Sequence, residues 1–173
     1  MTFPPDLSRT ALSITVFRVV REGVDPLVIT GSLKAGGRYN PANEFGALYT
    51  SLDAKTAAQE VARGLRARGI DPEQFPEEAW WVYELELKLE SVLDLTDPDV
   101  LKRSGISASS LTSSDVNATR RIAAEAREQG YVALLVPSAA APGSKNLVIF
   151  QHPASARPIV LSSKPITLDE NNG

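Results

Sequence analysis

Residues Trp81–Leu89, WVYELELKL, set Trp81, Tyr83, Leu85, Leu87 and Leu89 on one side of an extended chain and Glu84, Glu86 and Lys88 on the other. A period of two has no counterpart on a helix, so this segment is a strand with one face on a core and one toward water. Such a face is a mark of antiparallel pairing, because strands in parallel sheets are covered on both sides. Val92–Thr96 is placed to extend the strand. Any fold for this chain has to give that strand an apolar floor and neighbours on its edges.

The rest of the chain supplies them. Leu12–Val20 is rich in β-branched residues and reads as a strand with Arg18 embedded in it. Leu27–Thr30 and Ala47–Ser51 read as short strands, with a Gly- and Pro-punctuated loop over 31–43 between them. Asp53 is placed to cap a helix over Ala54–Arg68 that Gly69 closes, with Ala54, Ala57, Ala58, Val61 and Leu65 as its apolar stripe. Residues 70–79 form an acidic, Pro-containing linker, and Pro98–Arg103 a short helix. A Ser-rich loop over 107–114 precedes a second long helix, capped by Asp115 or a neighbouring serine, that runs to Gln129 and ends at Gly130. Tyr131–Val136 is almost wholly apolar and so a central strand; 137–145 is loop, Asn146–Gln151 a strand, and Pro158–Ser162 an edge strand. Strands and helices mix without βαβ alternation, which gives an α+β class with mostly antiparallel pairing in a split sheet flanked by helices. At 173 residues the chain reads as a single domain, 1–173, with a core over about 12–162. The polar, proline-containing ends, 1–10 and 164–173, are expected to fray.

Composition decides which chemistry is open. There is no cysteine and a single histidine, His152, beside Pro153 at a surface or strand end. Thiolate nucleophiles, Cys-type zinc sites and His-rich metal sites are therefore excluded. A serine without a histidine nearby is a poor nucleophile, which argues against a hydrolase triad. A net charge of −3, with dispersed basic residues, argues against direct nucleic-acid binding. No run reaches the ~18 apolar residues of a membrane span, and MTFPPDLSRT lacks the layout of a secretory signal, so a cytoplasmic location is expected. What remains is chemistry on Glu, Asp, Arg, Lys, Ser and Tyr.

Three polar residues stand in GGRYNPANEFGALYTSLDAKTAAQE at equal spacing: Arg38, Tyr49 and Glu60. Singly, each has an ordinary reading. Glu60 can be a solvated helix residue, Arg38 an exposed arginine in a turn, and Tyr49 a sheet-face tyrosine. Each also has a functional one. Arg38, after Gly36-Gly37, can hold its planar guanidinium over a phosphate. Tyr49 can stack on a heteroaromatic ring. Glu60 has Ala57 and Gly64 beside it, so nothing bulky crowds that flank. A glycine inside a helix costs about 1 kcal/mol relative to alanine, which invites a close approach by a ligand or backbone at Gly64. In LLVPSAAAPGSKNLVIF, Ser138 follows a buried strand and reads as a turn serine or as a binding hydroxyl.

Taken together, GGRYN, GALYTS, AAQE on a helix and VPSA…G…NLVI resemble the RES domain family, named for an arginine, a glutamate and a serine that match Arg38, Glu60 and Ser138 here. The resemblance runs from about Leu12 to Ser162. It implies a fold like that of ADP-ribosyltransferases of the diphtheria-toxin type. The implied activity is that of an NAD-consuming toxin, cleaving the nicotinamide–ribose bond by hydrolysis or phosphorolysis without a metal. It also implies neutralisation by a helix-turn-helix antitoxin. A protein mono-ADP-ribosyltransferase and a non-enzymatic domain binding ADP-ribose or a partner are the alternatives, and a homodimer is one assembly open to it. The family set maps onto Glu60, Arg38 and Tyr49 as catalytic residues, and onto Arg18, Arg38, Tyr49, Ser138 and Asn146 as residues that bind NAD. Nicotinamide leaves NAD as a neutral group, so the demand on the protein is a fixed negative charge beside a ribosyl cation, the role implied for Glu60.

Overall fold

The computed structural model describes residues 3–150 and 157–168. Among the described residues, six strands, β1 (Thr10–Arg21), β2 (Ala47–Ser51), β3 (Trp80–Asp94), β4 (Ala133–Pro137), β5 (Lys145–Phe150) and β6 (Ile159–Pro165), are interspersed with helices α1 (Thr30–Ala35), α2 (Ala54–Arg66), α3 (Pro98–Ser104) and α4 (Asn117–Glu128). The strands run in the order β1-β2-β5-β4-β3-β6, and β3 returns to pair with β1. Instead of the split sheet expected, β1-β2-β5-β4-β3 therefore close into a ring. The cause is the length of β3. Its 15 residues carry β1 along one edge, while the other edge takes β6 near Trp81–Glu86 and then β4, in parallel, at Val92–Asp94. The remaining pairings are antiparallel, and β1 meets β2 through one register pair, Phe17 opposite Ser51.

Period-two alternation assigns each strand's residues to separate cores. Val16, Leu48, Leu85, Leu87, Leu89, Ala133, Leu135, Leu147 and Ile149 fill the inside of the ring. The intervening residues Ala47, Leu134, Val136, Val148 and Phe150 face outward, where Val100 of α3 and Ile122, Ala123 and Ala126 of α4 cover them. β4 and β5 are thus buried on both faces, as the apolar run in β4 requires. The alternating strand behaves as its pattern demands at Leu85, Leu87 and Leu89. Its opposite face is also covered at one end, where Trp80 and Val82 pack with Ala57, Ala58, Ala62 and Leu65 of α2.

α2 starts where Asp53 Oδ1 accepts the Thr56 N–H at 2.7 Å, and the chain leaves it through Gly69 at φ +74°, with Ile70 N donating to Leu65 O. The expected strand over Leu27–Thr30 is absent. Asp25 Oδ1 accepts from Leu27 N and Asp25 O from Val28 N, which turns the chain, and α1 then occupies part of the expected loop. Phe3 and Leu7 are buried against the α4 side, and the Tyr131 hydroxyl donates to Leu7 O. Leu168 is buried at the other end of the chain. Gln151 and His152 lie outside the described residues. Among the described residues no helix is long and apolar enough to cross a membrane, and no cluster of three or more acidic or histidine side chains is placed to hold a metal ion.

Candidate active site

The cleft opens between α2, β1, β2 and the loop after α1, with a volume of about 400 Å³, within the usual range for small-molecule sites. Arg18, Arg38, Tyr49, Glu60 and Asn146 all line it. Residues separated by up to 128 positions in sequence thus share one concavity.

The glycine loop is held by hydrogen bonds from three directions. Gly36 has φ +70°, in the left-handed region that a side chain disfavours. At Gly37 a Cβ would stand 2.4 Å from the Tyr49 hydroxyl, so the missing side chain is the space that hydroxyl occupies. The Tyr49 hydroxyl accepts the Tyr39 N–H at 2.9 Å and donates to Asn40 Oδ1 at 2.7 Å. Asn40 is fully buried and donates from Nδ2 to the Ser32 and Phe45 carbonyls. From α4, Thr119 Oγ1 donates to Arg38 O and Arg120 Nε donates to Gly37 O. Burial pushes the Tyr49 phenol up to about 12, against the pull of the Tyr39 N–H, Arg120 and Arg38. With its hydroxyl so committed, the part of Tyr49 left for a ligand is the ring.

Two arginines enter from different elements. Arg38 Nη1 donates to the Ser113 carbonyl at 2.6 Å and to Leu111 O at 3.4 Å, which fixes its head over the segment before α4. Arg18, on β1, donates Nη2 to Val28 O at 3.0 Å and Nη1 to Tyr49 O at 3.4 Å. Its Nε is buried without a partner, and desolvation pushes its guanidinium down to about 10, partly offset by Asp25. A cation held partly dehydrated is a poor contributor to stability and a strong attractor of an anion.

Glu60 stands on the cleft-facing side of α2. Its Oε1 accepts from Ser138 Oγ and from Asn146 Nδ2, each at 2.6 Å. Ser138 is buried behind the cleft wall, where its oxygen also accepts the Ala140 and Ala141 N–H groups at 3.1 and 3.0 Å. That loop therefore fixes the direction of the serine's single proton, which points at Glu60. Asn146 is oriented in the same way, because its Oδ1 accepts from Ser51 Oγ at 2.7 Å. The carboxylate is thus aimed by two donors, each fixed in turn by a further bond. Asn40, Ser51, Thr119 and Arg120 play supporting parts that the sequence did not disclose, since each works through a partner in a distant or tightly turned segment. Only the position of Asn40, directly after GGRY, hints at such a role.

Residues 15–169 match the family model described as the RES domain. The chain belongs to the RES domain family. Among its relatives is the probable NAD(+) phosphorylase Rv3189 of Mycobacterium tuberculosis, 35% identical over 116 residues, which cover 67% of this chain and 54% of the relative. The chain thus spans about half the length of that RES relative. The NAD(+) phosphorylase MbcT of Mycobacterium bovis is 27% identical over 146 residues, covering 84% of this chain and 77% of the relative. In three dimensions this RES chain superposes on a chain of the M. tuberculosis MbcT–MbcA toxin–antitoxin complex with a TM-score of 0.81 at 24% identity, over 92% of this chain and 87% of that one. That likeness establishes the fold.

Proposed function

We propose that this RES domain cleaves the nicotinamide–ribose bond of NAD and passes the ADP-ribosyl group to phosphate or water, with 1–173 acting as one unit. The observation that carries the reading is Glu60, an accessible carboxylate whose direction is set by Ser138 and Asn146. The names of its relatives, NAD(+) phosphorylases, support the same choice of substrate. In the proposed reaction the bond from ribose C1′ to the nicotinamide ring nitrogen breaks and its electron pair stays on that nitrogen. Nicotinamide departs neutral, and positive charge develops on the ribose. Glu60 stabilises that charge and binds the ribose hydroxyls; because its orientation is fixed beforehand, little reorganisation opposes the step. Arg38 and Arg18 take the pyrophosphate, and the Tyr49 ring stacks on nicotinamide. Ser138 and Asn146 act through Glu60 as positioning residues.

The toxin–antitoxin setting of the solved structure supports an antitoxin partner for this chain too; we take that partner to be a small helix-turn-helix protein that covers the cleft. The finer likeness to ADP-ribosyltransferases of the diphtheria-toxin type belongs to the same reading. Product analysis tests it. Purified protein incubated with NAD is expected to release nicotinamide together with ADP-ribose, or with ADP-ribose 1-phosphate when phosphate is present. Intact NAD with water, phosphate and a cell lysate as acceptors would reject the activity. Label from NAD appearing on a protein band, with little free product, would replace it by protein modification.

A further inference from the structure

We infer that Arg63 and Gly64, next to Glu60 on the cleft side of α2, form a subsite for an oxyanion co-substrate, inorganic phosphate. This rests on the NAD-cleaving reading and gives the acceptor a place in it. Arg18, Arg38 and Arg63 all line the cleft, but they are held differently. The guanidinium groups of Arg18 and Arg38 are tied to backbone carbonyls. Arg63 is exposed, and among the described residues its guanidinium takes part in no hydrogen bond or ion pair. Glu60 lies three residues earlier, a spacing that brings side chains to about 5–6 Å on a helix. Even so, the Glu60 carboxylate is turned to Ser138 and Asn146, and Arg63 keeps its charge free.

Gly64 supplies room. A Cβ built there meets no atom within 4 Å, so packing within the protein does not require glycine at this position. Gly64 is nevertheless part of the cleft wall, and any side chain on it would project into the opening beside Glu60.

Phosphorolysis needs both features. As the C1′–nitrogen bond breaks toward nicotinamide, an oxygen of hydrogenphosphate gives a lone pair to C1′ and forms the new C–O bond. The product, ADP-ribose 1-phosphate, keeps the phosphate proton or loses it to water. That acceptor is a dianion approaching the carboxylate that stabilises the ribosyl cation, and the two repel. A guanidinium one helical turn away offsets the repulsion and presents a planar donor fork to the phosphate oxygens.

The phosphates of NAD offer the same chemistry, so the test separates the two sources. Nicotinamide release is measured for wild type, R63Q, R63K and G64V, varying phosphate at saturating NAD and then NAD at saturating phosphate. R63Q is expected to raise the KM for phosphate by about tenfold or more, several times more than any rise in the KM for NAD, and R63K to recover part of the loss. G64V is expected to raise the KM for phosphate with its thermal midpoint retained. A rise in the KM for NAD as large as that for phosphate would make Arg63 a dinucleotide contact and overturn the subsite, as would no change in either constant. Were wild-type protein to leave NAD intact, the activity would fall while a second arm still reads the subsite. Phosphate, compared with chloride at equal ionic strength, is expected to raise the thermal midpoint of wild type but not of R63Q. Equal shifts in the two proteins would overturn the inference.

Discussion

Ser138 Oγ donates to Glu60 Oε1 at 2.6 Å, joining the loop after β4 to the middle of α2 across 78 residues of chain. The serine is buried and its oxygen is already taken by two backbone N–H groups, so its one proton is left for the carboxylate. Ser138→Ala is therefore expected to slow nicotinamide release by about 10–100-fold through misdirected Glu60 and to cost about 1–3 kcal/mol of stability from the orphaned N–H groups. Asn146→Ala works on the same carboxylate oxygen, so the double variant is expected to lose less than the sum of the two in log rate. Rates measured on protein shown folded by circular dichroism check this; strict additivity would contradict it.

Gly37 and Gly64 make opposite predictions. A methyl group at Gly37 would meet the Tyr49 hydroxyl at 2.4 Å and Asn40 Oδ1 at 2.9 Å, so Gly37→Ala should destabilise by about 1–3 kcal/mol as overpacking. Gly64→Ala meets nothing and should stabilise α2 by up to about 1 kcal/mol. Thermal midpoints measured side by side separate the glycine kept for folding from the glycine kept for the cleft.

The Tyr49 phenol predicts a pH dependence. Its folded-state value, pushed up to about 12, lies above the ordinary value of 10. A raised acid binds its proton more tightly in the folded protein. Its contribution is therefore complete below pH 10 and lost as pH rises from 10 toward 12. Wild type minus Tyr49→Phe should show a constant stability difference from pH 6 to 9 that shrinks above pH 10. A difference that changes through neutrality would contradict the buried, hydrogen-bonded phenol.

Arg18 is dehydrated, with its Nε unpartnered. Arg18→Met is expected to change stability by less than about 1 kcal/mol, because it removes a costly buried charge along with its two carbonyl contacts. The same change should raise the KM for NAD by about tenfold or more. A large drop in thermal midpoint with unchanged KM would make Arg18 a structural residue.

Much of this was legible in sequence because it is local. The alternation of β3, the Asp53 cap and Gly69 exit of α2, and the apolar run of β4 each depend on near neighbours in the chain. The set Arg38, Tyr49, Glu60, Ser138 and Asn146 was readable as a pattern, and the structure brings all but Ser138 to the cleft wall, with Ser138 just behind Glu60. Closure of the ring was not legible, since it depends on both edges of β3 being used by strands from opposite ends of the chain. The parts played by Phe3, Thr119 and Arg120 were hidden for the same reason, because their partners lie more than 80 residues away. The strand expected over Leu27–Thr30 does not form because Asp25 turns a β-branched segment that propensity alone favours as a strand.

The central claim is that the charge on Glu60 stabilises the departing ribosyl group. Single-turnover nicotinamide release in Glu60→Gln, with NAD affinity measured on the same preparation by calorimetry, addresses it most directly. The amide keeps the size of the side chain and removes its charge. The account predicts a rate about 10²–10³-fold below wild type with NAD affinity held within a few-fold. A Glu60→Gln protein that binds NAD and turns it over within about threefold of the wild-type rate would contradict it.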